Sequence, residues 1–385
     1  MSSESSSSVG GVAAGSVAQP MNTADLATVM RHAAHDRKTV VACGGRSKID
    51  WGTPPSALDL LVRTSSMDRI LEHAAGDLVV TAQAGAPLAA LQEQVAGAGQ
   101  WLALDPPEPG ATVGGVVAAA ASGPRRLRYG TPRDLLIGIT IVLADGTVAR
   151  SGGKVVKNVA GYDLGKLFTG SFGTLGVIAE CTFRLHPRPA VRRVVSAQVD
   201  DPVATARRVF ATGATPAALE WDGATMTAVI ESVESAAQIQ AADVATAMSG
   251  EIGDQLPAGF GVRPWQPAGP GTPGGIGVKI THRLGGLRQV LRAIRDLLPA
   301  AQLQAHVGSG VIWLATEEAG LGWLGPLRER VADHDGGVVV VQAPAEVKRG
   351  IDVWGPVRGL DVMRQVKAQF DPDGRMSPGR FVGGI

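Results

Sequence analysis

The sequence predicts an α+β fold in two unlike parts, and three observations carry that prediction. Between residues 101 and 189 four glycine-bearing loops follow one another in order, LALDPPEPGATVGG, ASGPRRLRYGTPRD, DGTVARSGGKVVKNVAGYD and GSFGTLGVI, on a β-rich frame. Beyond the proline break His186-Pro187-Arg188-Pro189 the style changes to strands alternating with amphipathic helices. At 385 residues the chain also exceeds the size at which one hydrophobic core keeps growing, so two or three compact units are expected.

Residues 1–20, MSSESSSSVGGVAAGSVAQP, are rich in Ser, Gly and Ala and lack both basic residues and a solid apolar core. They fit neither a signal peptide nor an anchor and are expected to form a disordered tail. A helix follows, capped by Asn22 or Thr23. A β-branched strand over 39–42 then runs into the sharp loop Cys43-Gly44-Gly45-Arg46-Ser47, a strand feeding a phosphate-sized loop. A second αβ stretch places a strand over 78–83, a turn at Ala84-Gly85, a helix over 87–95 and a strand over 101–104. Pro87 suits the first helical turn. IGITIVLADGTVARSGG reads as a hairpin around Asp145-Gly146, the dipeptide a type I′ turn favours, and 175–185 as one more strand.

In the second part strands are expected over 193–199, 217–221 and 225–231, with helices over 202–212 and 233–247. After a Pro/Gly linker at 257–275 the order repeats, with strands over 276–282, 302–307, 309–315 and 337–342 and helices over 286–297 and 320–334. This is the pattern of two βαββα(β) units of ferredoxin-like type. The expected division is therefore a tail over 1–20, a loop-bearing domain over 21–190, a ferredoxin-like cap over 191–345 and a C-terminal segment over 346–385.

Lys and Arg total 36 against 35 Asp and Glu, a net charge of +1, which argues against a nucleic-acid footprint or a membrane-surface patch. The expected partner is a small molecule or a protein. Cys43 and Cys181 are the only cysteines and no CxxC occurs, so neither a disulfide framework nor a cysteine-rich zinc or iron–sulfur site can be built, and the compartment reads as reducing and cytoplasmic. The longest weakly polar run, over 113–121, falls far short of the roughly 20 residues of a membrane helix, so no transmembrane segment is expected.

A glycine has no Cβ, so each glycine loop lets main-chain N–H groups approach a bulky ligand, and four such loops on one frame point to a large cofactor. With 51 glycines about seven Gly-Gly pairs arise by chance. The chain holds eight, so Gly44-Gly45 has meaning only through its place after a strand and before Arg46-Ser47. A formal GxGxxG at Gly269, Gly271 and Gly274 follows a proline-rich linker instead of a strand and fails its context test. GxSxG, HExxH and Walker A patterns are absent, so nothing speaks for acyl or phosphoryl transfer. Lys157, Asn158, Tyr162 and Asp163 form a polar cluster that reads equally well as a solvated loop. Both tyrosines, Tyr129 and Tyr162, lie in the glycine-loop region.

The order of these loops resembles the FAD-binding domain of the vanillyl-alcohol oxidase/p-cresol methylhydroxylase (PCMH) superfamily, specifically its glycolate oxidase and D-lactate dehydrogenase branch. The resemblance covers residues 38–190 and 361–385. It implies an FAD-binding domain of two α+β subdomains, with VACGGRS (Gly44, Gly45, Arg46, Ser47) as the first pyrophosphate loop. PPEPGATVGG and ASGPRRLRYG (Pro106, Thr112, Gly114, Gly115, Ser122, Gly123, Tyr129, Gly130) would line pyrophosphate and flavin. GTLGVI (Gly173, Gly176, Val177, Ile178) would reach the flavin and adenine side. DPDGRMSPGR, with Arg380, matches the branch's C-terminal signature, which returns to the flavin domain. Successive main-chain N–H donors can bind a doubly charged pyrophosphate without lysines, so the near-neutral charge is no objection. Covalent members attach FAD through a histidine near the first loop; GGRSKIDWG offers none between His35 and His73, so non-covalent FAD is expected. The loop N–H groups and Arg380 are expected to tune the flavin.

In catalytic members of this branch HxGDGNxH and a later EHGIG hold a divalent metal and the substrate. Here the nearest match is His306-Val-Gly308-Ser309-Gly310-Val-Ile-Trp313, with Ser309 for the acid and Trp313 for the second histidine, and no EHG follows. His334 stands alone and reads as a helix-surface histidine; Phe172 replaces the acid of the family's SEGTLG. No metal site is expected and no catalytic residue is assigned. Flavin loops kept and metal-binding histidines replaced resembles the smaller FAD-binding (E) subunits of three-subunit glycolate oxidase complexes. That implies oxidation of glycolate to glyoxylate at the level of the complex, with this chain as electron relay or structural support. The implied partners are a larger FAD-containing catalytic subunit and an iron–sulfur subunit, with the assembly at the inner face of the membrane. Two other readings stand beside it. One is a self-sufficient FAD-dependent 2-hydroxyacid or sugar-lactone dehydrogenase, with a base such as His306 or Tyr162. The other is a flavin-free structural subunit.

Overall fold

A computed structural model describes residues 7–153, 163–266, 275–318 and 320–385. The Asn22 side chain accepts the Asp25 N–H and so starts the helix Thr23–His35. Its buried face, Leu26, Ala27, Met30 and Ala33, recurs at helical spacing and packs on the strand Val40–Cys43. That strand pairs in parallel with Leu60–Arg63, which on its other side pairs in parallel with Ser16–Ala18. From Ser8 onward, therefore, the stretch expected to be a disordered tail is ordered. Ser8–Val9 and Val12–Ala13 form a small hairpin, Val9 is 1% exposed against Val41, Cys43 and Leu61, and Arg46 donates to the Ser8 carbonyl at 2.6 Å. Composition misled here because a few valines suffice when a sheet already exists for them to dock on.

A second sheet is antiparallel throughout, with strands in the order Val148–Gly152, Leu136–Val142, Val177–Arg184, Val79–Gln83 and Ile70–Ala74. The helices Leu88–Ala96 and Val113–Ala118 share its core. The strand expected over 101–104 shrinks to Gln100–Trp101, paired with His186–Pro187. Beyond it the Gln92 amide takes over the backbone, accepting from Leu102 N at 3.1 Å and donating to Leu104 O at 3.3 Å. The hairpin at Asp145-Gly146 is not a two-residue type I′ turn, which needs φ > 0 at both central residues. Only Gly146 has positive φ (86°), and Leu143 and Thr147 close a three-residue loop whose tip is held by the Asp145 carboxylate accepting from Thr147 N and Oγ1 at 2.8 Å.

The stretch from Val191 to Gln342 forms one eight-stranded antiparallel sheet from two copies of the same unit. The order is Glu251–Gly253, Val191–Gln198, Thr225–Ser232, Ala218–Trp221, then Gln302–His306, Val311–Thr316, Ile276–Thr281 and Gly337–Gln342. Each half reads 4-1-3-2 in its own strand count, the ferredoxin-like order, and the halves join edge to edge where Glu220 pairs with His306. The helices Pro202–Ala211, Glu234–Met248, Leu287–Leu297 and Leu324–Ala332 cover one face, burying Trp221, Met226, Ile280, Ile312 and Leu314. Because side chains alternate along a strand, the other face carries Glu220, Glu231, Lys279, Gln304, His306 and Trp313. That polar face is turned toward the glycine-loop part, where Arg125 donates to Glu231 at 2.7 Å.

The C-terminal helix Leu360–Phe370 leads the chain back to the first sheet. Val40 N donates to Arg375 O at 2.8 Å and Ser377 N to Val40 O at 2.7 Å, so the tail lies beside the strand that feeds the first glycine loop. No described helix is long and apolar enough to cross a membrane.

Candidate cofactor site

The ends of these strands and loops enclose a cleft. Its wall is formed by 42–49 after the strand Val40–Cys43, by Thr112, Gly114, Gly115, Ala118 and Ala119 around a helix start, by 171–173 and 176–178, and by Arg380 from the tail. Of the expected cofactor residues, Gly44, Gly45, Arg46, Ser47, Thr112, Gly114, Gly115, Gly173, Gly176, Val177, Ile178 and Arg380 are brought together there. Pro106, Ser122, Gly123, Tyr129 and Gly130 are not among its lining. The Ser122 carbonyl accepts from Arg263, Gly123 N donates to Asp105 at 3.0 Å, the Tyr129 ring packs on Trp101 and His186, and Gly130 N closes a helical turn onto Arg126 O. Pro106 is half-buried in the loop before them. Lys157, Asn158, Tyr162 and the GxGxxG at 269–274 lie outside the described residues; Asp163 caps the helix Leu164–Phe168 by accepting from Lys166 N.

The glycines serve the cleft in a way the sequence does not announce. A Cβ on Gly44 would stand 2.1 Å from Thr112 Oγ1, one on Gly45 1.8 Å from Gly110 O, and one on Gly114 2.6 Å from the Ala84 Cβ. The space a side chain would take is filled by the neighbouring loop, so the glycines let the loops nest and leave the cleft walled by backbone. Arg46 and Phe172 sit on the same wall with left-handed φ of 60° and 55°, the kind of local strain that concentrates at ligand sites.

Three buried polar atoms of the cleft-lining residues, Arg46 Nη1, Ser171 Oγ and Arg380 Nε, have no partner among the described residues. These donors fit the pyrophosphate and hydroxyl oxygens of FAD. Arg380 also donates to Trp51 O at 2.8 Å and to Ile49 O, while Lys348 donates to Val341 O at 2.8 Å and to the intervening Asp50 O. Buried cations thus hold three consecutive carbonyls of the segment leaving the first glycine loop. Burial pushes Arg380 down to about 10 and Lys348 down to about 8. Lys48, Ile49, Thr64, Ala84, Ser171 and Phe172 also line the cleft and were not expected; for Lys48 the available signal was its place directly after CGGRS.

Above the cleft, the polar face of the eight-stranded sheet is closed by the strap 257–266. Arg263, 1% exposed, donates from Nε to Glu108 at 2.9 Å and from Nη2 to Ser122 O at 3.1 Å, and its guanidinium lies 3.6 Å from the Trp313 ring centre. Trp51 and Trp265 flank Trp313 at 6.0 and 5.8 Å. Lys279, on the same face, has no carboxylate within ion-pairing distance among the described residues, and burial, then Arg126 and Arg263, push it down to about 8. His334 is half-buried and would meet a Cβ on Gly286 at 2.8 Å.

His306 is 2% exposed and its Nε2 lies 3.2 Å from Glu220 Oε1; Glu220 Oε2 accepts from Gly261 N at 2.9 Å and from Gln304 at 3.1 Å. Burial pushes Glu220 up to about 8, with Asp105 and Asp222 adding to the rise while Gly261 N–H and Arg263 oppose it; burial, then Arg263, Arg126 and Lys279, keep His306 neutral. A carboxyl raised in the folded state binds its proton more tightly there than when unfolded. Below about pH 4.5 both states hold the proton and nothing is lost, whereas between 4.5 and 8 the unfolded state alone releases it and stability falls as pH rises. Glu220→Gln should therefore flatten the fall in Tm between pH 5 and pH 8, measured by thermal melts across that range. An unchanged slope would mean that Glu220 is ionised in the folded chain.

Residues 3–152 match the FAD binding domain family. Glycolate oxidase subunit GlcE of Escherichia coli (strain K12) is 39% identical over 175 residues, 44% of this chain and 49% of that protein. Glycolate oxidase subunit GlcD of Bacillus subtilis (strain 168) is 34% identical over 212 residues, 53% of this chain and 44% of that protein. The D-lactate dehydrogenase of Archaeoglobus fulgidus is 36% identical over 175 residues, 45% of this chain and 39% of that protein. The matches span about half the length of these curated relatives or less. Among solved structures, alkyldihydroxyacetonephosphate synthase superposes with a TM-score of 0.69 at 13% identity over 94% of this chain and 75% of that one, a likeness of fold. The fold is the mixed α/β, PCMH-type FAD-binding fold, and the cofactor is FAD.

Proposed function

We propose that this FAD-binding oxidoreductase chain takes part in the oxidation of a 2-hydroxy acid, glycolate to glyoxylate, as the accessory FAD subunit of a glycolate-oxidising complex. Its partners in this reading are a larger FAD subunit that carries out the chemistry and an iron–sulfur subunit. The complex would work in the cytoplasm, at the inner face of the membrane. The relatives named as glycolate oxidase subunits support the substrate class. One observation of the molecule supports the accessory role. The sheet face opposite the FAD cleft is closed by the chain's own side chains, with Arg263 committed to Glu108 and Ser122 and stacked on Trp313, where catalytic members of the branch would have a histidine.

FAD, when bound, supplies the two-electron chemistry; the chain supplies the setting. Arg46, Ser171 and Arg380 would hold the phosphates and polyol chain from the cleft wall, non-covalently. Arg263, Trp51, Trp265 and Trp313 would keep water from the side of the cofactor facing the cap.

A second reading is favoured by Lys279, a cation on the polar sheet face without an acidic partner among the described residues, which is suited to a substrate carboxylate in a self-sufficient dehydrogenase. Anaerobic addition of glycolate to the purified yellow chain separates the two. The accessory reading expects the 450 nm region to bleach only after the larger flavin subunit is added. Bleaching of the isolated chain would overturn it in favour of the second. Release of the colour by acid precipitation is expected for non-covalent FAD, and colour retained in the pellet would refute that binding mode.

A further inference from the structure

Three buried charged side chains form a row from the FAD cleft into the cap. Lys48 lines the cleft directly after the first glycine loop, and its ammonium stands 3.0 Å from Glu108 Oε2. Glu108 Oε1 takes Arg263 Nε at 2.9 Å, and Arg263 ends the row on Trp313. The side chains of Lys48, Glu108 and Arg263 are 6%, 3% and 0% exposed. One anion therefore stands between two cations, one from the cofactor loop and one from the cap strap. Away from water such charges are weakly screened, and each acts on its neighbours at longer range than a surface charge would. Burial lowers the Lys48 ammonium, and Glu108 is the group that opposes this.

On two-electron reduction FAD takes up two electrons and one proton and so gains one negative charge. A cation in the cleft wall favours the reduced form and an anion beside it offsets that preference. We propose that Glu108 is a positioning residue that holds Lys48 at the cleft wall, partly neutralises it, and thereby sets the reduction potential of the bound flavin, with Arg263 tying that setting to the seated cap. The inference rests on FAD binding and is independent of which acid the complex oxidises.

The test is the midpoint potential of the FAD-loaded full chain, equilibrated anaerobically with redox dyes, with no substrate present. Lys48→Met should weaken binding of reduced relative to oxidised FAD at least tenfold, a fall of about 30 mV for a two-electron couple. Lys48→Arg should restore the wild-type value, and Glu108→Gln should shift the potential by a similar amount in the opposite direction. Opposite signs are the signature, since loosening of the fold alone would not produce them. Shifts of the same sign, or no shift in either variant, would overturn the proposal. Should Glu108→Gln fail to fold, the Lys48 pair still decides: a fall rescued by arginine supports the proposal and a fall that arginine does not rescue overturns it. If the potentials shift as expected while glycolate chemistry fails, the reading of the substrate is at fault and this inference stands.

Discussion

Gly45→Ala is expected to yield a colourless or nearly colourless chain, its FAD content at least tenfold below wild type, with a lowered melting temperature. The reason is local and steric. The added methyl would stand 1.8 Å from the Gly110 carbonyl oxygen and 3.2 Å from the Thr112 methyl, and the first of these is backbone in a loop that Thr112 and Val113 anchor to the adjoining helix. A flexible side chain could swing away, but this carbonyl lies between Glu108, held by Arg263, and Ala111, whose carbonyl accepts from Leu88 N at 2.9 Å, so the loop over 43–47 or the loop over 109–112 must move. Overpacking of this kind costs typically about 1–3 kcal/mol and more where backbone must yield. The cleft is lined by both loops, so the displacement falls on Arg46, Ser47 and Thr112 together. Gly76→Ala serves as the control, because a Cβ there meets nothing within 4 Å, and a change within about 0.5 kcal/mol is expected. FAD content by absorbance after gel filtration and a thermal melt decide the matter. A yellow Gly45→Ala chain with a wild-type Tm would mean that the two loops do not nest as described.

That both loops belong to one site was legible in the sequence, because a strand running into CGGRS and the spacing of PPEPGATVGG to GTLGVI are local patterns. The two ferredoxin-like units were legible for the same reason, since period-2 alternation and helical stripes recur twice between Val191 and Gln342. What the sequence concealed is which way a polar face looks. Glu220, Lys279, Gln304 and His306 alternate with apolar neighbours as they would on a solvent-washed sheet, yet this face is closed by the strap over 257–266, whose Gly261 N–H and Gly259 carbonyl are held by Glu220 and Gln304, and no local pattern separates the two cases. Arg263 was hidden differently. It lies in a Pro/Gly-rich stretch that reads as linker, and its burial depends on Glu108, Ser122 and Trp313, each contributed by a distant part of the chain. Tyr129 and Ser122 show the converse: a loop pattern that resembles cofactor lining also makes contacts with the cap, here with Glu231 and Arg263, while Gly123 N donates to Asp105 within the loop part itself.

Asp371→Ala is expected to cost about 3–5 kcal/mol and to lower FAD affinity with it, although Asp371 is not among the residues lining the cleft. The carboxylate is 1% exposed and accepts from Arg375 N at 3.1 Å, Met376 N at 2.7 Å and Lys367 Nζ at 2.6 Å. Alanine would leave two buried N–H groups without this acceptor and a lysine at 12% exposure without its counter-charge, and groups stranded in this way cost more than the pairing ever contributes. The consequence reaches the cofactor by two routes. Lys367 also holds Thr174 O at 2.8 Å and Met376 O at 2.9 Å, and Thr174 sits within the loop that supplies Ser171, Phe172 and Gly173 to the cleft. Arg375 and Ser377 flank Val40, the start of the strand that delivers Gly44 and Gly45. Lys367→Met should cost less, because it removes the buried cation rather than stranding it, and the double variant Asp371→Ala/Lys367→Met should be less destabilised than the two single effects summed. Chemical denaturation of all four chains with and without added FAD reads both quantities. Strict additivity, or an Asp371→Ala chain that binds FAD as tightly as wild type, would show that the returning tail covers the first sheet without organising the loops that hold the cofactor.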